Sequence, residues 1–236
     1  VPVAAMEVGY APVTGVLTGV DRGTVTITAT SEGRTATVTR TVVIRYRSLT
    51  TGSMHACNLA SGGIAWCWGL NGREGRIGDP DMTDNALASQ PVRVPGNHRF
   101  VQLATYSRTT CGLTAQGQVW CWGSNGWGTL GIGNTAPGQS HTPVQVTGGL
   151  TFQQIAAGAV HMCGLTAAGK VYCWGYNGSG ELGNGNRTFS PQPVAGIAQL
   201  TFARIVPGSE YTCGITTTGQ GWCWGYDGLG NLGDGR

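Results

Sequence analysis

The sequence predicts an all-β fold of β-propeller-type blades, in about four repeats of which the last is incomplete. Glycine accounts for 41 of the 236 residues and only 11% of the residues are charged. This composition disfavours long helices and favours short strands joined by tight turns. In addition, a segment with two cysteines recurs four times, and its first cysteines lie 54, 52 and 50 positions apart. Several short strands repeated at this period are typical of propeller blades.

The repeats share motifs at one spacing. Each has a cysteine, then an aromatic-Cys-Trp-Gly motif, then a glycine-rich turn with a Leu-Gly or Ile-Gly step, and a Pro-Val step closes the first three. In the third repeat we expect strands at 152–156, 162–166, 170–174 and around 193–194, where proline suits a sheet edge. The repeats are expected at about 48–98, 99–149, 150–199 and 200–236. A solenoid stack of the same units is the alternative architecture.

These motifs resemble the regulator of chromosome condensation repeat family. The pattern is His-x-Cys-x-Leu, then Gly-x-Val-Tyr-Cys-Trp-Gly-x-Asn, then Gly-x-Leu-Gly, as between His161 and Gly183. The match is best to the bacterial members with paired cysteines and covers about residues 50–236. The resemblance implies a β-propeller. Closing its ring from about four blades would need residues beyond Arg236, another subunit or a small blade count.

The eight cysteines fall into four pairs, each with nine residues between partners: Cys57 with Cys67, Cys111 with Cys121, Cys163 with Cys173, and Cys213 with Cys223. If Ala167–Gly169 is a hairpin turn, Cys163 and Cys173 face each other across antiparallel strands. A disulfide spans that separation with slight adjustment. Free buried thiols and a metal site are the alternatives, although no Cys-x2-Cys pair typical of zinc sites occurs. Disulfides predict an extracellular or cell-surface location.

Aromatic residues flank the second cysteines, tryptophans on both sides except for Tyr172 in the third repeat, and point away from the predicted disulfides. Packing between neighbouring blades is one interpretation, and stacking on a ligand is the other. Trp127 has no counterpart in the other copies. It is therefore the candidate ligand contact.

The histidines and aspartates indicate no catalytic or cofactor site. His55 and His161 occupy a repeat position that holds Thr109 and Tyr211 in the other copies, which indicates a structural role. Asp79, Asp81 and Asp84 lie in a long loop of the first repeat and are a candidate calcium site. A solvated polar insertion is the alternative there. No nucleophile elbow, phosphate loop or metalloprotease motif occurs, so we predict no enzyme and no cofactor.

Residues 1–47 differ from the repeats because they hold no cysteine and no tryptophan. Thr24–Thr30 alternates like a half-buried strand, with a turn at Ser31–Gly33 and a partner strand at Thr35–Ile44. Gly15–Val20, followed by Gly23-Thr24, resembles the C-terminal half of a group 2 bacterial immunoglobulin-like domain. The resemblance implies a partial β-sandwich module, common in bacterial surface proteins and adhesins. Its junction with the repeats is expected at residues 45–49.

The charge pattern excludes two classes of partner. The net charge is +3 without a basic stripe, which argues against nucleic acid. No apolar run is long enough for a transmembrane helix, so no membrane insertion is predicted.

We expect a non-enzymatic structural or adhesion protein of a bacterial surface or matrix, with protein partners or self-association. The alternative is a carbohydrate- or protein-binding propeller module with aromatic-rich loops. The fourth repeat lacks its Pro-Val step while the chain begins Val1–Val3, which predicts head-to-tail strand donation into a filament. A segment cut from a longer chain is the other explanation.

Overall fold

The computed structural model describes residues 6–8, 11–13, 23–31, 34–42 and 46–235. Within these ranges the chain forms 19 strands and no helix. Consequently the described residues contain no helix with the length and apolarity to cross a membrane. The chain divides into two compact units, Val1–Arg45 and Tyr46–Arg236.

The described residues of the first unit form two antiparallel strand pairs. β1 (Met6–Val8) pairs with β2 (Ala11–Val13), and β3 (Gly23–Ser31) pairs with β4 (Arg34–Val42). The β3–β4 pair is the hairpin that the alternation of threonines predicted. Three predicted features lie partly or wholly outside the described residues: the turn at residues 32–33, the immunoglobulin-like segment Gly15–Val20, and Arg45 of the junction.

The second unit contains one sheet for each repeat. Three sheets have four antiparallel strands and the fourth has three among the described residues. The strands of the first two sheets are β5 (Tyr46–Thr51), β6 (His55–Ala60), β7 (Ala65–Leu70), β8 (Leu87–Arg93), β9 (Phe100–Tyr106), β10 (Thr109–Thr114), β11 (Val119–Ser124) and β12 (Gln139–Gln145). Those of the last two are β13 (Gln154–Ala157), β14 (His161–Leu165), β15 (Val171–Gly175), β16 (Ser190–Ala195), β17 (Phe202–Pro207), β18 (Tyr211–Thr216) and β19 (Gly221–Gly225).

Strands follow chain order in every sheet, so each repeat is one meander. The first strands β5, β9, β13 and β17 pack against one another in succession, and the fourth strands β8, β12 and β16 form the opposite edges. The Pro-Val steps lie in these edge strands, as predicted, because proline has no N–H to donate to a further strand. β5 begins at Tyr46, two residues before the start expected for the first repeat.

A hydrophobic core lies between each sheet and the next one. The second repeat contributes Trp122 to a core with Ile77, and the third contributes Trp174 to a core with Leu130. The fourth repeat contributes Trp224 in the same way. Each repeat therefore completes the core of the repeat before it.

The buried tryptophans also donate a hydrogen bond across each junction. Trp122 Nε1 donates to the Arg76 carbonyl at 3.1 Å, Trp174 Nε1 to that of Thr129 at 3.0 Å, and Trp224 Nε1 to that of Glu181 at 2.8 Å. These contacts confirm that the second tryptophan of the motif packs between blades.

The recurring Leu-Gly step follows from the same contact. Gly131 has a φ of +70°, and a Cβ there would lie 2.9 Å from Trp174 Nε1. Both the backbone conformation and the close approach require glycine.

All four predicted disulfides form. In each repeat the two cysteines are direct partners across the hairpin, as in the pairing of Cys163 with Cys173. The two Cα atoms are 4.1 Å apart in every pair, and no described cysteine is free. Each disulfide therefore links two adjacent strands of one blade, and none links two blades.

Candidate functional site between the second and third repeats

The loop after the third strand of each repeat is held by one side chain. Asn125 Oδ1 accepts the Leu130 N–H at 3.2 Å, while Asn125 Nδ2 donates to the Pro137 carbonyl at 3.0 Å. Asn177 and Asp227 accept equivalent bonds in the next two repeats, at 3.0 and 2.9 Å. Because this side chain binds the loop from inside, the residues at its tip face outward.

The loop of the second repeat places Trp127 against the third repeat. The Trp127 ring meets Tyr176 edge-on, with centroids 5.1 Å apart, and meets Phe189 at 6.4 Å. Glycine at position 128 allows the approach, because a Cβ there would collide with Pro191. The Gly133 N–H also donates to the Pro191 carbonyl at 2.8 Å. We call Trp127, Tyr176 and Phe189 the aromatic trio.

The aromatic trio is open to solvent. Trp127 is 48% exposed and Phe189 is 43% exposed, while Tyr176 is half-buried. Edge-to-face packing of this kind holds the rings in defined orientations. The result is an exposed aromatic surface at a junction between two repeats.

The junction between the first and second repeats has a different surface. There Glu74 pairs with Arg108 of the next repeat at 2.9 Å and with Arg76 at 3.1 Å. His141 Nε2 lies 3.0 Å from the Arg73 carbonyl. The loop after the third strand thus makes an aromatic contact at the junction of the second and third repeats. The equivalent loop makes an ion pair at the junction of the first and second repeats.

Sequence reasoning singled out Trp127 but missed Tyr176 and Phe189. Tyr176 follows the Trp-Gly of the third repeat, and Phe189 precedes its fourth strand. Their approach to Trp127 depends on the offset between two sheets, which no local pattern reveals. Whether Trp127 contacts a ligand stays a prediction.

The two equivalent histidines lie inside the repeat junctions. His55 Nε2 lies 2.8 Å from Thr110 Oγ1 of the next repeat, and His161 Nε2 lies 2.8 Å from Thr212 Oγ1. Burial, to which the nearby Arg76 guanidinium adds, lowers the pKa of His55 to about 4. Burial alone lowers the pKa of His161 to about 4. Both side chains connect blades, in agreement with the structural role expected of them.

The candidate calcium residues lie in the loop between β7 and β8. Asp79 Oδ1 accepts the Asp81 N–H at 3.0 Å, which is a local turn contact. Across the described ranges, no group of three histidine, cysteine or acidic residues is arranged to hold a metal ion. Whether Asp79, Asp81 and Asp84 hold calcium or form a solvated insertion stays a prediction.

The fold has close structural neighbours. Human WBSCR16 superposes with a TM-score of 0.72 at 24% identity, over 87% of this chain and 53% of that one. Prp20p of Saccharomyces cerevisiae superposes with a TM-score of 0.65 at 21% identity, over 75% of this chain and 45% of that one. Together with the four-stranded meanders, these neighbours define an all-β protein of propeller-type blades.

The sequence comparisons identify the repeat. Family models described as "Regulator of chromosome condensation (RCC1) repeat" match residues 116–165 and 168–215, and also 100–128 and 152–181. The Ultraviolet-B receptor UVR8 of Arabidopsis thaliana is 32% identical over 146 residues, which are 61% of this chain and 33% of the relative. Residues 100–215 of this chain therefore match the regulator of chromosome condensation repeat family. The chain spans about a third of the plant relative's length and about half of the solved neighbours.

Proposed function

We propose that the repeats form a protein-binding module of a non-enzymatic structural or adhesion protein on a bacterial surface or in its matrix. The observation that carries this proposal is the exposed aromatic trio of Trp127, Tyr176 and Phe189. Tryptophan and tyrosine are over-represented among the residues that dominate protein–protein affinity. Their rings lose little conformational entropy on binding when neighbours already hold them in place.

The known behaviour of a structural neighbour supports a protein partner. The structure of Prp20p was described together with its binding properties to Gsp1p and histones. The shared fold makes a protein ligand a reasonable expectation for this chain. The identity of that ligand does not carry over, because the two chains are only 21% identical.

The disulfides support the extracellular location. Four cystines in 236 residues are rare in a reducing cytosol and common in secreted proteins. Mass spectrometry of the protein from its native cells, with and without reductant, tests the point. Eight free thiols would contradict the extracellular proposal.

Substitution of Trp127 tests the binding surface. Immobilised wild-type protein and the variants Trp127→Ala and Trp222→Ala are incubated with a cell-surface extract, and the retained partner is then purified and titrated. Trp222 is a matched control, because it is 45% exposed, close to the 48% of Trp127, and lies outside the trio. We expect Trp127→Ala to weaken binding of the purified partner at least tenfold, since losing a hot-spot residue costs about 2 kcal/mol or more. Equal binding by both variants would overturn the assignment of this surface.

Carbohydrate is the second candidate ligand, because exposed aromatic rings also stack on sugars. A glycan array probed with wild-type protein and Trp127→Ala separates the two ligands. A glycan that binds the wild type and not the variant would favour the carbohydrate alternative. Uniform non-binding would remove it.

Head-to-tail strand exchange remains part of the proposal for self-association. In the fourth sheet β19 has no fourth-strand neighbour among the described residues, and its edge offers unpaired backbone groups. The candidate donor, Val1–Val3, lies outside the described residues. Size-exclusion chromatography at several concentrations tests the idea, and a monomer at all of them would contradict it.

A further inference from the structure

The three junctions between consecutive repeats have cores of the same composition. The earlier repeat contributes one aliphatic residue from its second strand and one from the loop after its third strand. The later repeat contributes one aliphatic residue from its first strand and the tryptophan that ends the Cys-Trp pair of its third strand. The three sets are Leu59, Ile77, Leu103 and Trp122; Leu113, Leu130, Ile155 and Trp174; and Leu165, Leu182, Ile205 and Trp224. Every one of these side chains is at most 8% exposed, so each junction core is closed to water.

The chain also contains the two halves of a fourth set, one in its last repeat and one in its first. Ile215 and Leu232 occupy the positions of the earlier repeat, and Leu49 and Trp68 occupy those of the later repeat. Ile215 is 48% exposed and Leu49 is 63% exposed, while Leu232 and Trp68 are half-buried. Positions that are buried at three junctions are therefore accessible to solvent in these two repeats.

The fourth repeat has the backbone shape that receives a tryptophan at the other junctions. At those junctions, a Cβ on the glycine of the Leu-Gly or Ile-Gly step would lie 2.8–2.9 Å from the indole nitrogen of the next repeat, as for Gly183 and Trp224. Gly233 has the same left-handed backbone, with a φ of +69°. Beyond its chain neighbours, however, no described atom lies within 4 Å of a Cβ at Gly233. The loop of the fourth repeat is therefore shaped to accept an indole ring from a following repeat.

The edges of the two outer repeats also match each other in polarity. At the first junction the edge is ionic, because Glu74 pairs there with Arg108 of the next repeat. The equivalent positions are Leu229, in the loop of the fourth repeat, and Met54, before the second strand of the first repeat. Leu229 is 85% exposed and Met54 is 60% exposed. Contact between the two outer repeats would place one apolar side chain against another at this edge.

We propose that the fourth repeat of one chain binds the first repeat of a second copy of this chain, through a junction of the kind that already joins its own repeats. The fourth-repeat face consists of Ile215, Leu229 and Leu232, and the first-repeat face consists of Leu49, Met54 and Trp68. The proposal rests on the self-association proposed above and names the two surfaces that carry it. It requires no exchange of a strand and no part of the aromatic trio.

The internal junctions define the expected contacts. Trp68 Nε1 of the second copy donates to the Asn231 carbonyl, as Trp224 Nε1 donates to the Glu181 carbonyl within the chain. Burial of the exposed aliphatic side chains of both faces drives the association. Because the two faces differ, the contact is head-to-tail, and it produces a closed ring or an open filament according to the rotation between copies.

Complementary variants test this contact. Ile215→Glu places a carboxylate in the fourth-repeat face and leaves the first-repeat face intact, whereas Leu49→Glu does the reverse. Each position is exposed in the chain, so the substitution itself does not disturb a core. Light scattering on wild-type protein over a range of concentrations should show association. Each variant alone should raise the dissociation constant about tenfold or more, because the contact would bury an unpaired charge.

An equimolar mixture of the two variants gives the decisive result. The intact first-repeat face of Ile215→Glu can bind the intact fourth-repeat face of Leu49→Glu, so we expect a complex of exactly two chains. Such a complex also shows that both variants are folded. A wild type that is monomeric at every concentration, variants that associate like the wild type, or a mixture without a complex would each overturn the proposal.

Three controls separate this contact from the other proposals. Leu87→Glu alters a side chain that is 70% exposed in β8, outside both faces, and should associate like the wild type. Removal of Val1–Val3 should also leave association unchanged, and its loss would assign association to strand exchange instead. Trp127→Ala should associate normally whether or not it binds the protein partner, so failure of the aromatic surface would leave this contact intact.

Discussion

Acidification is expected to destabilise the repeats through His55 and His161. Each imidazole is buried in its neutral form and bonded to a threonine of the following repeat. Each Nδ1 atom is buried and has no hydrogen-bond partner among the described residues. Protonation therefore places a positive charge where water cannot solvate it, and at His55 the charge also faces Arg76.

The magnitude follows from the two pKa values. The pKa of each histidine is about 4 in the folded chain and 6.5 when it is unperturbed. The unfolded chain therefore binds more protons between these values, so stability is complete above pH 6.5 and falls as the pH drops towards 4. At pH 5 the loss is about 2 kcal/mol for each histidine, and below pH 4 it approaches about 3 kcal/mol.

The assay is denaturant unfolding at pH 7.5 and pH 5, followed by tryptophan fluorescence under non-reducing conditions. Carboxyl groups also begin to titrate in this range, so the informative quantity is the difference between wild type and the double variant His55→Thr/His161→Thr. Threonine is the residue that the second repeat has at this position, Thr109. The double variant should lose about 4 kcal/mol less than the wild type between the two pH values.

The control is His141→Gln, which alters a half-buried histidine of β12 at the surface of the first junction and leaves His55 and His161 in place. It should keep the pH dependence of the wild type. If the double variant and the wild type lost the same free energy on acidification, buried neutral histidines would not be the cause.

Two further predictions concern the backbone of the blades. Replacing both Cys163 and Cys173 with alanine should lower the free energy of unfolding by about 2.5–3 kcal/mol, which is the loop-closure value for so short a ring. Urea titration measures this loss, and an unchanged unfolding midpoint would argue against a stabilising disulfide. Gly131→Ala should lower the free energy of unfolding by more than about 1–2 kcal/mol, because Gly131 has a φ of +70° and lies against Trp174. Gly126→Ala is its control, since the nearest atom to a Cβ there is 3.8 Å away, and equal melting temperatures for the two variants would refute the packing argument.

The parts of the fold that the sequence predicted depend on local periodicity. The side-chain period of two places Cys163 and Cys173 on one face and Tyr172 and Trp174 on the other, whatever the neighbouring repeats do. The hairpin turn then fixes which cysteine faces which. The register and the disulfide were therefore accessible from one repeat alone.

The surfaces were less predictable because they depend on pairs of repeats. Trp127 stood out because no other copy has a tryptophan there, but its contact with Phe189 joins residues 62 positions apart.

The histidine position shows how a neighbour decides what one repeat can hold. Where the next repeat offers a threonine hydroxyl, as Thr212 does, the preceding repeat has a histidine long enough to reach it. The third repeat offers Met162 instead, which has no hydroxyl, and the second repeat correspondingly has Thr109. The Thr109 hydroxyl donates within its own repeat, to the Ser124 carbonyl at 3.0 Å. The residue at this position in one repeat therefore depends on the residue that faces it in the next repeat. Changing Met162 to threonine should accordingly allow histidine at position 109 to form the hydrogen bond that His161 forms with Thr212.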